Sequence, residues 1–240
     1  MSDAWPVRTA GGDGWVRDTR VGAWLVTSDL WARFVVRAAF RELLGLLGRR
    51  RRRYAAILDV GCGGGAALPL LDRRFAPERL VGVDPDPEMI AWARRAATRC
   101  RCRVDLKLGD AAALELADES LDMIFCHQTF HHVTDPEGAA GEFYRVLRPG
   151  GVLLFSESCA PFIRSWLVRA LFRHPMAAQR LAEEYLALLR RTGFCFDGAD
   201  VSTPYPWWSR PDLGLRERLG RPLPARRAET VVNVVAFKAR

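Results

Sequence analysis

One segment constrains the fold of this chain more than any other, the run from Ile57 to Gly65 that reads I-L-D-V-G-C-G-G-G. A short apolar run that ends in glycines predicts a buried strand, a tight turn and then a helix. Glycine suits this turn because its backbone takes positive φ easily and can approach a ligand without a Cβ in the way. The spacing is G-x-G-x-G, whereas a pyrophosphate on a helix N-terminus requires G-x-G-x-x-G. We therefore predict a nucleotide-type site that does not take nicotinamide or flavin cofactors.

A second strand supplies a carboxylate at the matching position. Leu80 to Val83 is apolar and ends in Asp84, which lies 25 residues after Asp59. In a parallel sheet this carboxylate would lie beside the glycine turn, where it can accept both hydrogen bonds of a ribose diol. A single aspartate after a strand is more often a helix cap, but its combination with the glycine turn favours ribose binding.

The pattern then alternates between strands and helices. The predicted strands are 56–60, 80–83, 104–108, 121–126 and 152–156, with a further strand at 229–238. The predicted helices between them are 66–74, 88–98 and 139–147. Such alternation is typical of an α/β protein with a doubly wound, mostly parallel sheet and helices on both faces.

The flanks differ from this central part. Residues 1–22 are rich in Gly, Asp and Arg and suggest a loose arm, and 28–47 is predicted to be a helix with a wide apolar face. Its polar stripe is formed by arginines 33, 37 and 41, and the basic run Arg49–Arg53 follows. Beyond the sheet, 161–173 is amphipathic and 176–191 is predicted to be helical. We divide the chain into an N-terminal arm and cap helix, 1–56, and a main domain, 57–240, with a lid insertion at about 158–192.

The net charge of +8 belongs to the flanks. Residues 1–56 hold 11 basic and 5 acidic side chains, residues 205–240 hold 8 and 3, and the segment between them holds 17 and 20. A nucleic-acid surface on the central sheet is therefore disfavoured, whereas contact of the flanks with a membrane surface stays open. The six cysteines form no C-x-x-C pair, and Cys100 with Cys102 is only half of a metal site, so we predict no metal.

No secretory signal is visible in the first twenty residues, because aspartates and glycines interrupt them. No uncharged apolar run approaches the ~18 residues that a membrane span needs. The expected location is the cytoplasm.

In this order, the segments resemble the class I S-adenosylmethionine-dependent methyltransferases, and specifically the small-molecule branch that includes the quinone-biosynthesis enzymes. Asp59 to Gly65 matches the first motif, D-x-G-x-G-x-G, and Leu80 to Asp84 the second. Gly109 to Ala111 is similar to the third motif, and Asp122 to His132 to the fourth strand with its loop. Glu142 to Gly151 resembles E-x-x-R-V-L-K-P-G-G, with an arginine in place of the lysine. The resemblance covers about 95 residues, 57–151, and is weak or absent in 1–50 and 160–240.

The resemblance implies a Rossmann-like, seven-stranded sheet whose last strand is antiparallel, and S-adenosylmethionine as cofactor. Gly61 and Gly63 would line the methionine part of the cofactor, with Asp59 near its amino group. Asp84 would hold the ribose and Asp110 the adenine. The cofactor-binding residues implied in this way are Asp59, Gly61, Cys62, Gly63, Asp84, Pro85, Met89, Asp110, Ala111 and His127. Met89 or Pro85 would pack on the adenine face, although Met89 fits a helix core equally well.

Three of the four histidines follow the fourth predicted strand, at the edge of the sheet where ligands bind. His131 and His127 are the candidates for a general base, because histidine titrates near neutral pH. Packing or hydrogen bonding is the alternative role for both. His174 is expected to lie well outside this loop.

The predicted reaction is transfer of a methyl group to oxygen, nitrogen or carbon of a small, apolar molecule. Cys126 to Thr129 occupies the place of the N-P-P-Y or D-P-P-Y segment that holds planar nitrogens, which argues against a nucleobase amino group. Two alternatives remain. One is an RNA methyltransferase, supported by the basic flanks and by Trp207 with Trp208 as stacking residues. The other is a cofactor-binding membrane or partner module that transfers no methyl group.

Overall fold

The computed structural model describes residues 19–48, 53–176, 179–210, 212–222 and 227–240. The arm 1–18 and arginines 49–52 of the predicted basic run lie outside these ranges. Eight strands form one sheet: β1 Ala56–Val60, β2 Arg79–Asp84, β3 Arg103–Leu108, β4 Leu121–His127, β5 Leu147–Ser158, β6 Phe194–Cys195, β7 Val201–Ser202 and β8 Val231–Lys238. Their order is β3-β2-β1-β4-β5-β8-β6, and β7 also pairs with β8.

The pairing confirms the predicted doubly wound sheet. Strands β1 to β5 are parallel to one another, and β8 runs antiparallel to β5, β6 and β7. The sheet has eight strands where seven were expected, because two short pieces, β6 and β7, share one side of β8. A 3-10 turn, Gly198–Asp200, separates them, and Asp197 caps it by accepting a hydrogen bond from the Ala199 amide at 2.7 Å. Capping side chains of this kind compete with sheet pairing for backbone groups.

Ten α-helical segments surround the sheet in the described part of the chain. They are α1 Arg20–Val26, α2 Asp29–Trp31, α3 Arg37–Leu47, α4 Leu68–Phe75, α5 Pro87–Ala97, α6 Pro136–Val146, α7 Ala160–Ile163, α8 Trp166–Leu171, α9 Ala182–Thr192 and α10 Leu215–Arg218. Helices α3 and α4 share a core with one face of the sheet, and α6 and α9 share a core with the other. None of these helices is long and apolar enough to cross a lipid bilayer.

The predicted helix 28–47 is one continuous element in three parts. Ser28 caps α2, since its hydroxyl accepts a hydrogen bond from the Trp31 amide, and a π-helical turn, Ala32–Val36, joins α2 to α3. The buried side chains of α3 pack against Ile57, Phe125 and Leu154 of the sheet. The arginine stripe is exposed. Most of the wide apolar face thus packs against the sheet.

Three predictions outside the sheet are wrong in detail. Residues 20–26 form α1 and are not part of a loose arm. The segment 161–173 is two short helices, because Ser165 caps α8 by accepting a hydrogen bond from the Val168 amide. The helix expected from residue 176 begins at Ala182, where Glu184 accepts a hydrogen bond from the Leu181 amide at 2.6 Å. In the second and third cases a local cap outweighs helix periodicity.

Candidate active site

The glycine turn after β1 leads into a cavity at the carboxyl edge of the sheet. Gly61 and Gly63 both have positive φ, +63° and +50°. A Cβ on Gly61 would lie 2.1 Å from Oγ1 of Thr129, whereas a Cβ on Gly63 would meet no atom within 4 Å. Gly61 is therefore required by close packing against the loop after β4. Gly63 is favoured by its backbone conformation and leaves open space for a ligand.

Asp84 joins the end of β2 to this turn. Its Oδ2 accepts a hydrogen bond from the Gly63 amide at 2.8 Å, and its Oδ1 accepts one from the Asp86 amide at 3.0 Å. Each carboxylate oxygen keeps a further lone pair, as a ribose diol requires. Burial raises the pKa of Asp84 to about 6. The structure thus places a carboxylate with unused acceptor capacity beside the glycine turn.

Asp59 lies at the end of β1 on the wall of the same cavity. The residue is 2% exposed, and its Oδ2 has no hydrogen-bond partner among the described residues. Burial raises the pKa of Asp59 well above its ordinary value, and the negative charge of Asp84 adds to the effect. A cationic amino group would relieve both costs, because it supplies a donor and an opposite charge. The site therefore fits the amino-acid end of S-adenosylmethionine.

The far end of the cavity holds the residues expected at the adenine. Pro85, Met89, Asp110 and Ala111 all line it. Met89 is half-buried and belongs to none of the hydrophobic core clusters, so its side chain lies at the cavity wall. Asp110 accepts a hydrogen bond from the Ala112 amide at 2.9 Å. Cys62 also lines the cavity, and its amide donates to the Val83 carbonyl at 3.0 Å.

The loop after β4 forms the middle of the cavity, where His127, Gln128, Thr129 and His132 line it. The ring of His127 stacks on Phe125, with the centroids 5.9 Å apart, and its buried Nε2 has no partner among the described residues. Burial lowers the pKa of His127 to about 4. A histidine with this pKa is neutral near pH 7 but is a weak general base there. Gln128 adopts φ +53°, and its Oε1 accepts a hydrogen bond from the Ser158 hydroxyl at 2.5 Å.

The second candidate base, His131, is buried and does not line the cavity. Its Nδ1 lies 2.7 Å from Oε2 of Glu157. Oε1 of the same carboxylate accepts hydrogen bonds from the amides of Thr129 and Phe130, both at 2.7 Å. Glu157 is fully buried on β5 and fixes the loop by these contacts. The sequence analysis did not identify Glu157, because the interaction spans 26 to 28 residues.

The expected position of His174 is wrong. Its ring lies 5.0 Å from that of His131 and 4.6 Å from that of His132, centroid to centroid. The segment that follows α8 therefore returns to the loop after β4. No local sequence pattern reports such a contact, because it depends on how two distant segments pack.

Residues of the N-terminal helical segment also line the cavity. They are Val26, Trp31 and Val36. Trp31 packs against Phe172 and Trp208, each with ring centroids at 6.4 Å. The sequence analysis noted Trp208 only as a stacking residue for RNA and did not identify Trp31 as a site residue.

Among the described residues, the cavity wall carries acidic side chains but neither lysine nor arginine. Asp59, Asp84, Asp86 and Asp110 line it, and no Lys or Arg does so in the described part of the chain. The acidic groups lie at the turn and at the strand ends, where the cofactor is expected. The remaining wall is formed largely by apolar and aromatic side chains.

Comparisons with known proteins agree with this geometry. Residues 58–155 match the family model described as "Methyltransferase domain". Phosphoethanolamine N-methyltransferase 3 of Arabidopsis thaliana is 32% identical over 103 residues, which cover 43% of this chain and 21% of that protein. The chain spans less than two fifths of the length of the curated relatives it matches.

Two solved structures share the fold. A methyltransferase of Mesorhizobium loti, described as S-adenosylmethionine-dependent, aligns with a TM-score of 0.62 and 22% identity over 84% of this chain and 98% of that one. Phosphoethanolamine N-methyltransferase 2 of Haemonchus contortus, in complex with S-adenosylmethionine, aligns with a TM-score of 0.63 and 20% identity. The alignment covers 84% of this chain and 53% of that one. Residues 58–155 of this chain are therefore similar to a methyltransferase domain, and the chain shares the fold of these two solved methyltransferases.

Proposed function

We propose that this chain transfers the methyl group of S-adenosylmethionine to a small, apolar acceptor held between the cofactor and the N-terminal helices. The observation that carries this proposal is the position of Trp31. Its side chain lines the cofactor cavity and packs against Phe172 and Trp208, which belong to segments far apart in the sequence. Flat aromatic surfaces of this kind suit an apolar or planar molecule.

The residues support methyl transfer by alignment. The acceptor's lone pair forms a bond to the methyl carbon while the carbon–sulfur bond breaks, and the sulfonium becomes the neutral thioether of the product. If a hydroxyl or amine is methylated, its proton leaves to solvent or to a nearby base. Because the donor is already activated, placing the acceptor in line with the methyl group and sulfur supplies most of the rate enhancement. We assign His127 to positioning, since its pKa of about 4 makes it a weak base.

The charge of the cavity argues against a phosphorylated acceptor. The relatives named phosphoethanolamine N-methyltransferase act, by that name, on a molecule with a phosphate group. A phosphate in a cavity requires cationic or multiple backbone partners. No lysine or arginine of the described chain lines this cavity. A lipophilic acceptor such as a quinone, polyketide or terpenoid therefore fits better, and the quinone-biosynthesis resemblance points to the same class.

The two alternative functions have less support. An RNA acceptor was suggested by Trp207 and Trp208, but Trp208 packs against Trp31 and Phe162, the latter at 5.5 Å. That ring is therefore already engaged within the protein. A cofactor-binding module that transfers no methyl group is not favoured, because residues 58–155 match the family model described as "Methyltransferase domain". We include in the proposal a cytoplasmic location and a lid formed by the described part of 158–192.

The proposal is tested first by cofactor binding. Isothermal titration of the folded chain with S-adenosylmethionine should give a saturable signal, and NADH should give none. Asp84→Ala should weaken binding by at least tenfold, because removing a charged hydrogen-bonding group costs ~1.5–3 kcal/mol. Glu78→Gln is a matched control, since this exposed carboxylate pairs with Arg53 far from the cavity. No heat at millimolar cofactor would contradict the proposal.

The acceptor class is tested by a competition panel. Apolar and polar acceptors are incubated together with cofactor labelled at its methyl group, and labelled products are separated by extraction. We expect turnover of apolar acceptors. Turnover of a highly polar acceptor alone would overturn the acceptor assignment while leaving the methyltransferase assignment intact.

A further inference from the structure

Three histidines from two distant segments meet beside the cofactor cavity. His131 and His132 lie on the 3-10 turn Phe130–His132, and His174 lies after α8. The ring centroids are 4.4, 4.6 and 5.0 Å apart. Each ring offers one nitrogen that lies within 4.8 Å of a nitrogen of both others. Imidazole is the commonest protein ligand of zinc and of related divalent ions, so the geometry allows one ion to be shared by all three.

A carboxylate orients the first of these ligands. Glu157 accepts from Nδ1 of His131 at 2.7 Å, which leaves the lone pair of the neutral ring on Nε2. The carboxylate is itself held by two amides of the same turn. Zinc-binding histidines characteristically donate their second ring nitrogen to a carboxylate or a carbonyl, which sets the tautomer and the ring orientation. His131 has this arrangement.

A single buried amide ties the two segments together. Nε2 of Gln179 donates to the His131 carbonyl at 2.8 Å and to the Pro175 carbonyl at 3.0 Å. These carbonyls belong to His131 itself and to the residue that follows His174. The histidine side chains are thus held near one another by contacts that do not involve their own ring nitrogens.

Packing alone is a weaker explanation of the cluster. An aromatic ring without polar atoms, such as the neighbouring Phe172, would fill the same partly buried space without nitrogens that need partners. Three imidazoles add six ring nitrogens to this space. A shared metal ion would use one nitrogen of each ring as a ligand.

We infer that His131, His132 and His174 bind one divalent transition-metal ion, of which zinc best matches the ligand set. Three histidines with a carboxylate behind one of them are typical of sites that keep a fourth position open. At a Zn–N distance of about 2.0–2.1 Å, the nitrogens of a tetrahedral site lie about 3.4 Å apart, so binding draws the segment after α8 toward the turn. This differs from the sequence prediction, which rested on cysteine spacing and gave no metal.

Of the three ligands, His132 also lines the cavity, so an open position that faces the cavity would take an oxygen of the methyl acceptor and lower the proton affinity of that oxygen. This last assignment rests on the proposed function, whereas metal binding itself does not.

The test uses the full chain prepared without a polyhistidine tag. After chelation and dialysis, the protein is loaded with Zn²⁺ and separately with Co²⁺, and bound metal is measured by mass spectrometry. We expect one ion per chain and a tetrahedral Co²⁺ spectrum without the charge-transfer band of a thiolate ligand. His174→Phe keeps a ring in place, and it should weaken binding more than tenfold. His174→Ala serves as a second variant, and thermal unfolding verifies that both fold.

A double variant, Cys100→Ser with Cys102→Ser, removes the other close pair of zinc-type ligands and should retain the metal. Absence of bound metal in the folded chain, or full retention by both His174 variants, would overturn the inference. Titration with S-adenosylmethionine in the same samples separates the two proposals. A chain that binds the cofactor but no metal refutes this inference only, and a chain that binds metal but no cofactor refutes only the proposed function.

Discussion

The sheet and the cap that covers its edge bury their apolar side chains to different degrees. We define the cap as the described residues of 20–36, 160–181 and 205–219. It contains eleven of the thirteen large apolar side chains that are exposed among the described residues, with Trp24 and Trp166 exposed by 67% and 75%. Only Trp92 and Leu108 belong to the sheet and its helices, whose own interior side chains are almost wholly buried. The sheet buries its apolar side chains inside the protein, whereas the cap leaves apolar surface exposed, where other molecules can contact it.

This difference predicts that the largest stability effects come from the sheet edge. Gly61→Ala places a Cβ 2.1 Å from Oγ1 of Thr129 at positive φ, so it should lower the free energy of unfolding by about 4 kcal/mol. Gly63→Ala is the matched control, since it has positive φ but no steric clash and should cost about 1 kcal/mol. Urea unfolding without cofactor measures both. Equal losses would show that the packing at Gly61 is not as tight as described.

The next largest effect is on cofactor affinity, and it arises from the protonation of Asp84 at the sheet edge. The pKa of Asp84 is raised to about 6 by burial, and it faces the carboxylates of Asp59 and Asp86. Ribose hydroxyls need the ionised form as acceptor, so cofactor affinity should be full above pH 7 and fall as the pH drops through 6. At pH 5 we expect about tenfold weaker binding than at pH 8. Titration calorimetry across this range measures it, and a flat profile would contradict the role of Asp84.

Protonation of Asp84 also changes the free energy of unfolding. Here the protonated form is the favourable one, whereas cofactor binding needs the ionised form. A carboxyl group whose pKa is higher in the folded than in the unfolded state contributes stability below its unfolded pKa. That contribution is lost as pH rises through about 6. The charge that binds the cofactor therefore destabilises the protein without cofactor near neutral pH.

A cap residue should affect turnover more than stability. Trp31→Leu removes the ring that faces the cavity, and we expect KM for an apolar acceptor to rise about five- to tenfold, on the order of 1 kcal/mol. Trp166→Leu is the control, because this tryptophan is 75% exposed and does not line the cavity. Steady-state kinetics and urea unfolding are compared for both. A similar rise of KM in both variants would contradict the assignment of Trp31 to the cavity wall and of Trp166 to the outer surface.

The smallest effect on the free energy of unfolding is expected for the arginine stripe. The double variant Arg37→Gln with Arg41→Gln should change the free energy of unfolding by less than about 0.5 kcal/mol, since both side chains are exposed. If the arginine stripe contacts anionic lipid, binding of the double variant to phosphatidylserine vesicles should be weaker by about 1 kcal/mol per arginine. Co-sedimentation with neutral vesicles is the control. Unchanged binding to anionic vesicles would contradict membrane contact by this stripe.

The same division explains what the sequence could predict. Each strand from β1 to β5 repeats a local pattern of apolar residues between turns, so their positions follow from periodicity. β6 and β7 have two residues each, too few to form a pattern. Three acidic residues of the site lie at or just after strand ends, namely Asp59, Asp84 and Asp110. They lie at one edge because parallel strands end on the same side of a sheet. Glu157 and His174 reach the site through tertiary packing alone, which periodicity does not encode.

The π-helical turn at Ala32–Val36 has a consequence for how the helix tolerates insertions and deletions. Each residue of an α-helix turns the chain by about 100°, and a π turn accommodates one residue more per turn. Trp31 before the turn faces the cavity, and Leu43 after it faces the sheet. Loss of one residue within the turn would restore a regular helix and leave Trp31 and Leu43 on the faces that they now occupy, whereas loss of one residue from a regular part between them would rotate them apart by about 100°. The π turn thus lets the helix hold one extra residue while one end stays at the site and the other in the core.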